Sequence, residues 1–279
     1  MLIENTLFGE VDKVKIAIDR LRAFEPPEGY YLAFSGGKDS QCIYHLALEA
    51  GVKFDAHYNI TTVDPPELIY FIRDHYPDVS MDSSGTTMWE LIEKKGLPTM
   101  MMRFCCAELK EHGGEGRICV TGVRREESAK RAKRMPFEVV TRNIKDKVLF
   151  NDNDNGRMLF ENCTVKGKRV VNPIIDWPLN DVWEYLNGRN IPHCCLYDQG
   201  YKRLGCIGCP FTRGGRIRDF KRYPKYKDNY LRAIQKNIEY RKMRGLNNAF
   251  RSGKTADEIM HWWIYDSDKI KQIDGQEEF

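Results

Sequence analysis

The chain has 279 residues, of which 42% are hydrophobic and 30% charged, with a formal net charge of +4. This composition supports one large packed core and excludes a disordered, collagen-like or low-complexity chain. No apolar run reaches the roughly 18 residues of a membrane span.

The first twenty residues carry Glu4, Glu10 and Asp12 and lack an apolar signal core, so no secretion signal is read. Val11, Val14, Ile18 and Leu21 recur at helical spacing and predict a helix over 10–24, ended by Pro26, Pro27 and Gly29. Tyr30 to Phe34 reads as a short buried strand, followed by a helix from Gln41 to Ala50. Phe54 to Ile60 is the next strand and Pro66 to His75 the next helix. Thr86 to Lys95 is a further helix, Ile118 to Val123 a strand, and Glu126 to Lys133 a short basic helix. This alternation predicts an α/β fold with a doubly wound parallel sheet.

Beyond Glu138 the alternation stops. Short apolar stretches flank the turn-rich run Asn151–Gly156, which predicts a β-hairpin insertion over 138–171. Leu179 to Asn187 is a helix, and the chain after Pro210 is basic and mostly helical to about Tyr265. Gly214-Gly215 is the softest boundary, giving a main domain over 1–213 and a basic helical region over 214–279. From Lys202 to Lys254 there are 16 Lys and Arg against three acids, a surplus that predicts an anionic partner: nucleotide phosphates or a nucleic acid. A solvated helical face is the alternative.

Ser35-Gly36-Gly37-Lys38-Asp39-Ser40 lies between a predicted strand and a predicted helix. Two glycines let backbone approach a phosphate, hydroxyls donate, and the helix N-terminus adds its positive dipole end. Asp39 is placed to hold Mg²⁺ against phosphates. The spacing is neither the Walker pattern nor the dinucleotide fingerprint. Arg124 and Arg125 follow a strand at the expected ligand edge of the sheet, where guanidinium forks suit phosphate or sulfate.

The nine cysteines, with no secretion signal, point to metal or redox chemistry in a reducing, cytoplasmic setting rather than to a disulfide framework. Cys105-Cys106 and Cys206-Ile207-Gly208-Cys209 together supply four thiolates. Adjacent cysteines seldom converge on one zinc ion, whereas a cubane offers each thiolate its own iron, so a [4Fe-4S] cluster is favoured over zinc. Cys42 and Cys119 read as core residues. Cys194 and Cys195 are packing thiols or, near His193, Lys202 and Arg203, a sulfur-carrying nucleophile. His57 reads as a polar-satisfied residue rather than a catalytic one.

The Ser35–Ser40 run resembles the PP-loop, S-G-G-x-D-S, of the ATP pyrophosphatases, which cleave ATP between its α and β phosphates. The chain as a whole is similar to the phosphoadenylylsulfate (PAPS) reductase family over roughly 30–213. The motifs are Gly122-Val123-Arg124-Arg125-Glu126-Glu127-Ser128, Asn172-Pro173-Ile174-Ile175-Asp176-Trp177, Asp181–Leu186 and Leu196–Tyr201, besides the cysteines. Thr61-Thr62 and Pro66-Glu67 resemble the family's substrate-side strand end.

The resemblance implies an adenine nucleotide α-hydrolase type of fold. It implies ATP held by Ser35, Gly36, Gly37, Asp39, Ser40, Thr62 and Arg124, with Lys38, Asp39 and Arg125 acting in catalysis. It also implies a cluster on Cys105, Cys106, Cys206 and Cys209, the arrangement of the adenylylsulfate (APS) reductases. Two features depart from those reductases. No cysteine follows Cys209, so their C-terminal E-C-G-L-H thiol is missing, and the phosphate loop, usually degraded in them, is intact. Both point toward ATP pyrophosphatases that serve sulfur transfer to a nucleic acid or nucleotide, as in DNA phosphorothioation, with a sulfur-donor protein as a further partner. The alternatives are an APS or PAPS reductase releasing sulfite, and a non-enzymatic nucleotide- or DNA-binding module of phage type.

Overall fold

The computed structural model describes residues 2–7, 9–111, 113–140, 148–150, 168–212, 214–246 and 255–267. A short hairpin, β1 (Ile3–Thr6) and β2 (Gly9–Asp12), precedes helix α1 (Lys13–Ala23). The sequence pattern starts this helix at 10. It starts at 13 because Asp12 caps it, its carboxylate accepting from the amides of Val14 and Lys15 at 2.9 and 3.0 Å. The hairpin was illegible because both strands are short and mostly exposed, without a buried face.

The central sheet is built from β3 (Tyr30–Ala33), β4 (Phe54–Ile60), β5 (Ser80–Ser83), β6 (Cys119–Val120), β7 (Phe137–Val140), β8 (Val148–Phe150) and β9 (Lys168–Val171). Their order is β5-β4-β3-β6-β9-β7-β8. The first five in that order pair in parallel, while β7 runs antiparallel to both β9 and β8. The fold is therefore α/β around a mostly parallel sheet, as the sequence alternation predicts. The Asn151–Gly156 turn and Cys163 lie outside the described residues.

Helix α2 (Lys38–Ala50) carries the chain from β3 to β4, and α3 (Pro66–His75) carries it from β4 to β5. The chain then returns through α4 (Met88–Lys95) and α5 (Phe104–Leu109) to β6, on the far side of β3. Right-handed crossovers that reverse direction must change faces of the sheet. The reversal leaves a crevice between the carboxyl ends of β3 and β6, where such sheets bind ligands.

Two hydrophobic cores result. The larger joins sheet residues such as Leu32, Ala56 and Val120 to α1, α2, α3 and, past the short α6 (Ala129–Ala132), α7 (Leu179–Gly188). The smaller joins α4, α5 and Ile207 to three C-terminal helices: α8 (Gly215–Arg222), α9 (Pro224–Met243) and α10 (Ala256–Tyr265). Trp263 is fully buried there and donates to the Pro98 carbonyl at 2.7 Å. The Asn237 amide donates to the Glu93 carbonyl at 2.8 Å. The C-terminal helices thus share their core with the segment that carries Cys105 and Cys106. Among the described residues no helix is long and apolar enough to cross a membrane.

His57 is held between Asp55 and Asp82, with Nδ1 2.7 Å from Asp82, and stacks on Tyr31 with ring centres 4.3 Å apart. It is polar-satisfied, as its sequence setting suggests.

Candidate functional site

The loop after β3 lies at the crevice. Gly36 has φ +67°, and a Cβ there would stand 2.6 Å from Leu68 Cδ1 and 2.8 Å from Ile72 Cδ1. Only glycine fits the conformation and the approach of α3. Ser40 Oγ donates to the Gly37 carbonyl at 2.8 Å and accepts from the Ser35 amide at 3.1 Å, so the two serines brace the loop from within. Tyr197 Oη accepts from the Lys38 amide at 2.9 Å, and its ring lies under the Lys38 ammonium at 5.8 Å.

Asp39 is the centre of charge. Arg124 Nε donates to Oδ1 at 2.7 Å and Lys38 Nζ to Oδ2 at 3.2 Å. Both cations are buried, and Arg124 is further tied to Glu126 and the Trp177 carbonyl. Burial lowers the Arg124 pKa, but Asp39, Glu127 and Glu126 outweigh it and the net direction is upward. The loops after β3 and β6 touch directly. A Cβ on Gly122 would lie 2.9 Å from both the carbonyl carbon and oxygen of Asp39. Gly122→Ala is therefore expected to cost about 1–3 kcal/mol, as overpacking does. That is a melting-temperature loss of several degrees, roughly 2–4 °C per kcal/mol in a chain of this size. An unchanged thermal midpoint would show that this approach is looser than drawn.

Arg125 is not brought to this centre. Its guanidinium pairs with Asp176 and donates to the Arg134 carbonyl at 3.3 Å. Thr62 adopts the left-handed conformation, φ 65°, and its hydroxyl accepts from the Met88 amide at 3.0 Å, so it anchors the start of α4. Thr61 is the residue aimed at the cysteines. It hydrogen-bonds the buried Asp64 twice, at 2.7 Å, and accepts from Cys206 Sγ at 3.4 Å.

The four predicted ligand cysteines are free thiols of intermediate burial. Cys105 and Cys106 lie on α5, and Cys206 and Cys209 on a loop tied down by Ile207, whose amide donates to Val63 O at 2.8 Å. Tyr230 Oη donates to the Ile207 carbonyl at 2.9 Å. Cys106, Cys206 and Cys209 all bear on the Cys105 thiol, and Cys206 and Cys106 on that of Cys209. Cys105 donates to Cys106 and is itself pushed up, first by that bond and then by burial, with Cys206 and Cys209 adding to the shift. Cys106 is pulled down by the same bond, with Arg103 and Lys110 supporting the thiolate against burial. Among the described residues no three His, Cys, Asp or Glu side chains are grouped so as to hold a metal ion.

Lys110 was not singled out from the sequence. It is exposed as a residue, and its pKa is raised first by Cys206, with Asp64 and Cys106 adding to this against burial. The available signal was its position four residues after Cys106, one helical turn on. Tyr197, Thr61 and Gly122 were likewise missed as site residues, because each acts through a partner distant in the chain, and Asp64 enters only through Thr61.

The basic surplus is smaller at the surface than in the count. Arg216 is buried and bonded to the Trp263 carbonyl and Ser267. Arg218 stacks on Tyr201 at 3.4 Å, and Arg222 pairs with Glu67 at 2.6 Å. Phe220 and Tyr230, which interleave with the basic residues, are buried in the smaller core. Lys221, Lys225, Lys227, Arg232, Lys236 and Lys242 remain exposed. Arg213, Phe250, Arg251 and Lys254 lie outside the described residues.

Cys42 and Cys119 are buried, as expected of core thiols. Cys194 is buried and its pKa is pushed up to about 11 by burial, whereas Cys195 is exposed. A thiol whose folded pKa is raised stays protonated above its ordinary range, so Cys194 should resist alkylation at pH 8 and gain reactivity only as pH rises toward 11. Iodoacetamide at pH 8 is expected to label Cys195 first, read by peptide mass. Labelling in the reverse order would contradict the burial of Cys194.

A profile of the phosphoadenosine phosphosulfate reductase domain matches residues 29–212. An uncharacterized protein of Methanocaldococcus jannaschii is 26% identical over 222 residues, 75% of this chain and 42% of its own length. A probable FAD synthase of Schizosaccharomyces pombe is 30% identical over 194 residues, 66% of this chain and 62% of its own length. An adenosine 5'-phosphosulfate reductase of Neisseria meningitidis is 36% identical over 101 residues, 36% of this chain and 32% of its own length. The chain thus spans less than two thirds of each of these relatives. With the profile matching residues 29–212, most of the chain, the chain belongs to the phosphoadenosine phosphosulfate reductase domain family.

Proposed function

We propose that this protein cleaves ATP between the α and β phosphates to activate an acceptor for sulfur transfer, the acceptor being a nucleic acid or nucleotide. The observation that carries the reading is Asp39, held by both Lys38 and Arg124 at the crevice between β3 and β6. Phosphate oxygens compete for the same two cations. As they take Lys38 and Arg124, the Asp39 carboxylate becomes available for Mg²⁺. The Ser35–Ser40 loop and the first turn of α2 would then hold the departing pyrophosphate. The acceptor attacks the α-phosphorus in line, and Arg124 offsets the charge that builds there. Arg125, paired with Asp176 and bonded to the Arg134 carbonyl, braces the turn after β6 rather than touching phosphate.

Cys105, Cys106, Cys206 and Cys209 would hold a [4Fe-4S] cluster. The donor set is all thiol, and Arg103 and Lys110 supply positive charge against a thiolate cluster. When bound, the cluster supplies a sulfide-bearing, electron-accepting centre beside Thr61 and Lys110. The exposed lysines of α9 would attract a nucleic-acid backbone, which predicts affinity that falls with salt.

The test is anaerobic product analysis, with Mg-ATP in one tube and APS or PAPS with a dithiol in another. Pyrophosphate and AMP from ATP are the expected products. Sulfite from APS or PAPS without ATP would overturn this reading in favour of the reductase activity named for one of the relatives.

A further inference from the structure

Beside the cysteine pairs lie large side chains that neither hydrophobic core takes in. Phe211, two residues after Cys209, is 42% exposed, and Met101 and Met102, just before α5, are 87% and 47% exposed. Arg103, next in the chain and half-exposed, sets its guanidinium over the Phe211 ring, 4.9 Å from the ring centre. Two segments about a hundred residues apart thus meet here, one leading into Cys105 and the other leaving Cys209. Both are braced turns. The Met102 amide donates to Thr99 Oγ1 at 3.1 Å, and the Thr99 amide to the Met102 carbonyl at 3.3 Å. The Arg103 carbonyl accepts from the Cys106 amide at 3.1 Å and so starts α5. Thr212 donates to the Cys209 carbonyl through its amide, at 3.1 Å, and its hydroxyl, at 2.7 Å, closing the turn that carries Phe211. The aromatic ring and the guanidinium are therefore held in the open by fixed backbone.

We infer that Phe211 and Arg103 form a stacking platform for an unpaired base of a single-stranded nucleic acid. This deepens the acceptor proposed above and rests on that reading. An unpaired base offers a flat π face, and aromatic rings and guanidinium planes are the protein groups that stack on it. Polarizable methionine thioethers make favourable contacts with aromatic rings, which gives Met101 and Met102 a part at the platform's edge. The surrounding charge suits phosphates. Lys110, Lys202 and Arg203 are exposed, while the neighbouring acids are engaged, Glu108 with Lys95 at 2.6 Å and Glu111 with Arg103 at 3.8 Å. A protein partner would favour a contiguous apolar patch. Here the apolar side chains are interrupted by a guanidinium laid on the one aromatic ring among them.

The test measures binding of the holoprotein, at fixed salt, to fluorescein-labelled DNA and RNA single strands of about 12 nucleotides, within the span such sites cover. An abasic strand of the same length keeps the phosphates and removes the stacking faces. Phe211→Ala is expected to weaken binding of the base-bearing strand about tenfold, the effect of losing one base–aromatic stack. Its affinity for the abasic strand and its melting temperature should match wild type. Phe211→Leu, apolar without a flat face, should behave as Phe211→Ala. Phe211→Trp should restore affinity, and the fluorescence it adds should be quenched by the base-bearing strand and not by the abasic one. Equal affinity of Phe211→Ala and wild type, or an equal loss on the abasic strand, would overturn the platform. Wild-type affinity in Phe211→Leu would also overturn it, in favour of an apolar protein contact. Pyrophosphate release from Mg-ATP with no base-dependent binding would remove the platform and leave the ATP reading standing. Base-dependent binding with no pyrophosphate would do the reverse.

Discussion

Asp39→Asn is expected to lower pyrophosphate release from Mg-ATP by about 10²–10³-fold, the range seen when one preorganised charge partner is removed from a reacting centre. The substitution keeps the size of the side chain and removes its charge. Arg124 and Lys38, with side chains only 5% and 6% exposed, are then left beside a neutral amide. Unpairing fully buried ions costs about 3–5 kcal/mol. Here Asp39 is 22% exposed and Arg124 keeps Glu126 and the Trp177 carbonyl, so a smaller cost, about 1–2 kcal/mol, is expected. The variant should fold, with a lower melting temperature and a turnover loss far larger than that destabilisation explains. Arg124→Lys should not restore function, since an ammonium cannot reproduce the guanidinium's three-way contact with Asp39, Glu126 and Trp177. Turnover of Asp39→Asn within threefold of wild type would remove the ATP reading.

Cys206→Ser is expected to abolish the brown colour, with iron and acid-labile sulfide falling by an order of magnitude or more. Metal sites lose about 10–100-fold in affinity even when only an outer partner of a ligand is changed, and a ligand should matter at least as much. Cys206 is the informative choice because its thiol makes a long contact with Thr61, at 3.4 Å, while the loop stays anchored through Ile207 and Tyr230. Circular dichroism should be unchanged while the visible absorbance disappears. Full iron and sulfide in Cys206→Ser would exclude it as a ligand.

The sequence by itself determined the α/β class, because apolar runs of strand length alternate with helical periodicity from Tyr30 to Lys95. It also singled out the Ser35–Ser40 loop and the two cysteine pairs as candidates, because each is a short run whose chemistry depends on neighbouring residues. It did not show β1, β2 or β5, whose residues are polar and at sheet edges, nor α5, six residues too few for a periodic signal. Only the tertiary structure chose between the two adjacent arginines. Equivalent in sequence, they part in space because the chain turns after β6, aiming Arg124 at Asp39 and Arg125 at Asp176. It likewise set Thr62 at the start of α4 and Thr61 at Cys206, and brought Lys110 and Tyr197 into the site. Local pattern reports which face of an element is buried. Which side chains meet across the crevice follows from the strand order that reverses between β3 and β6, through contacts between residues far apart in the chain.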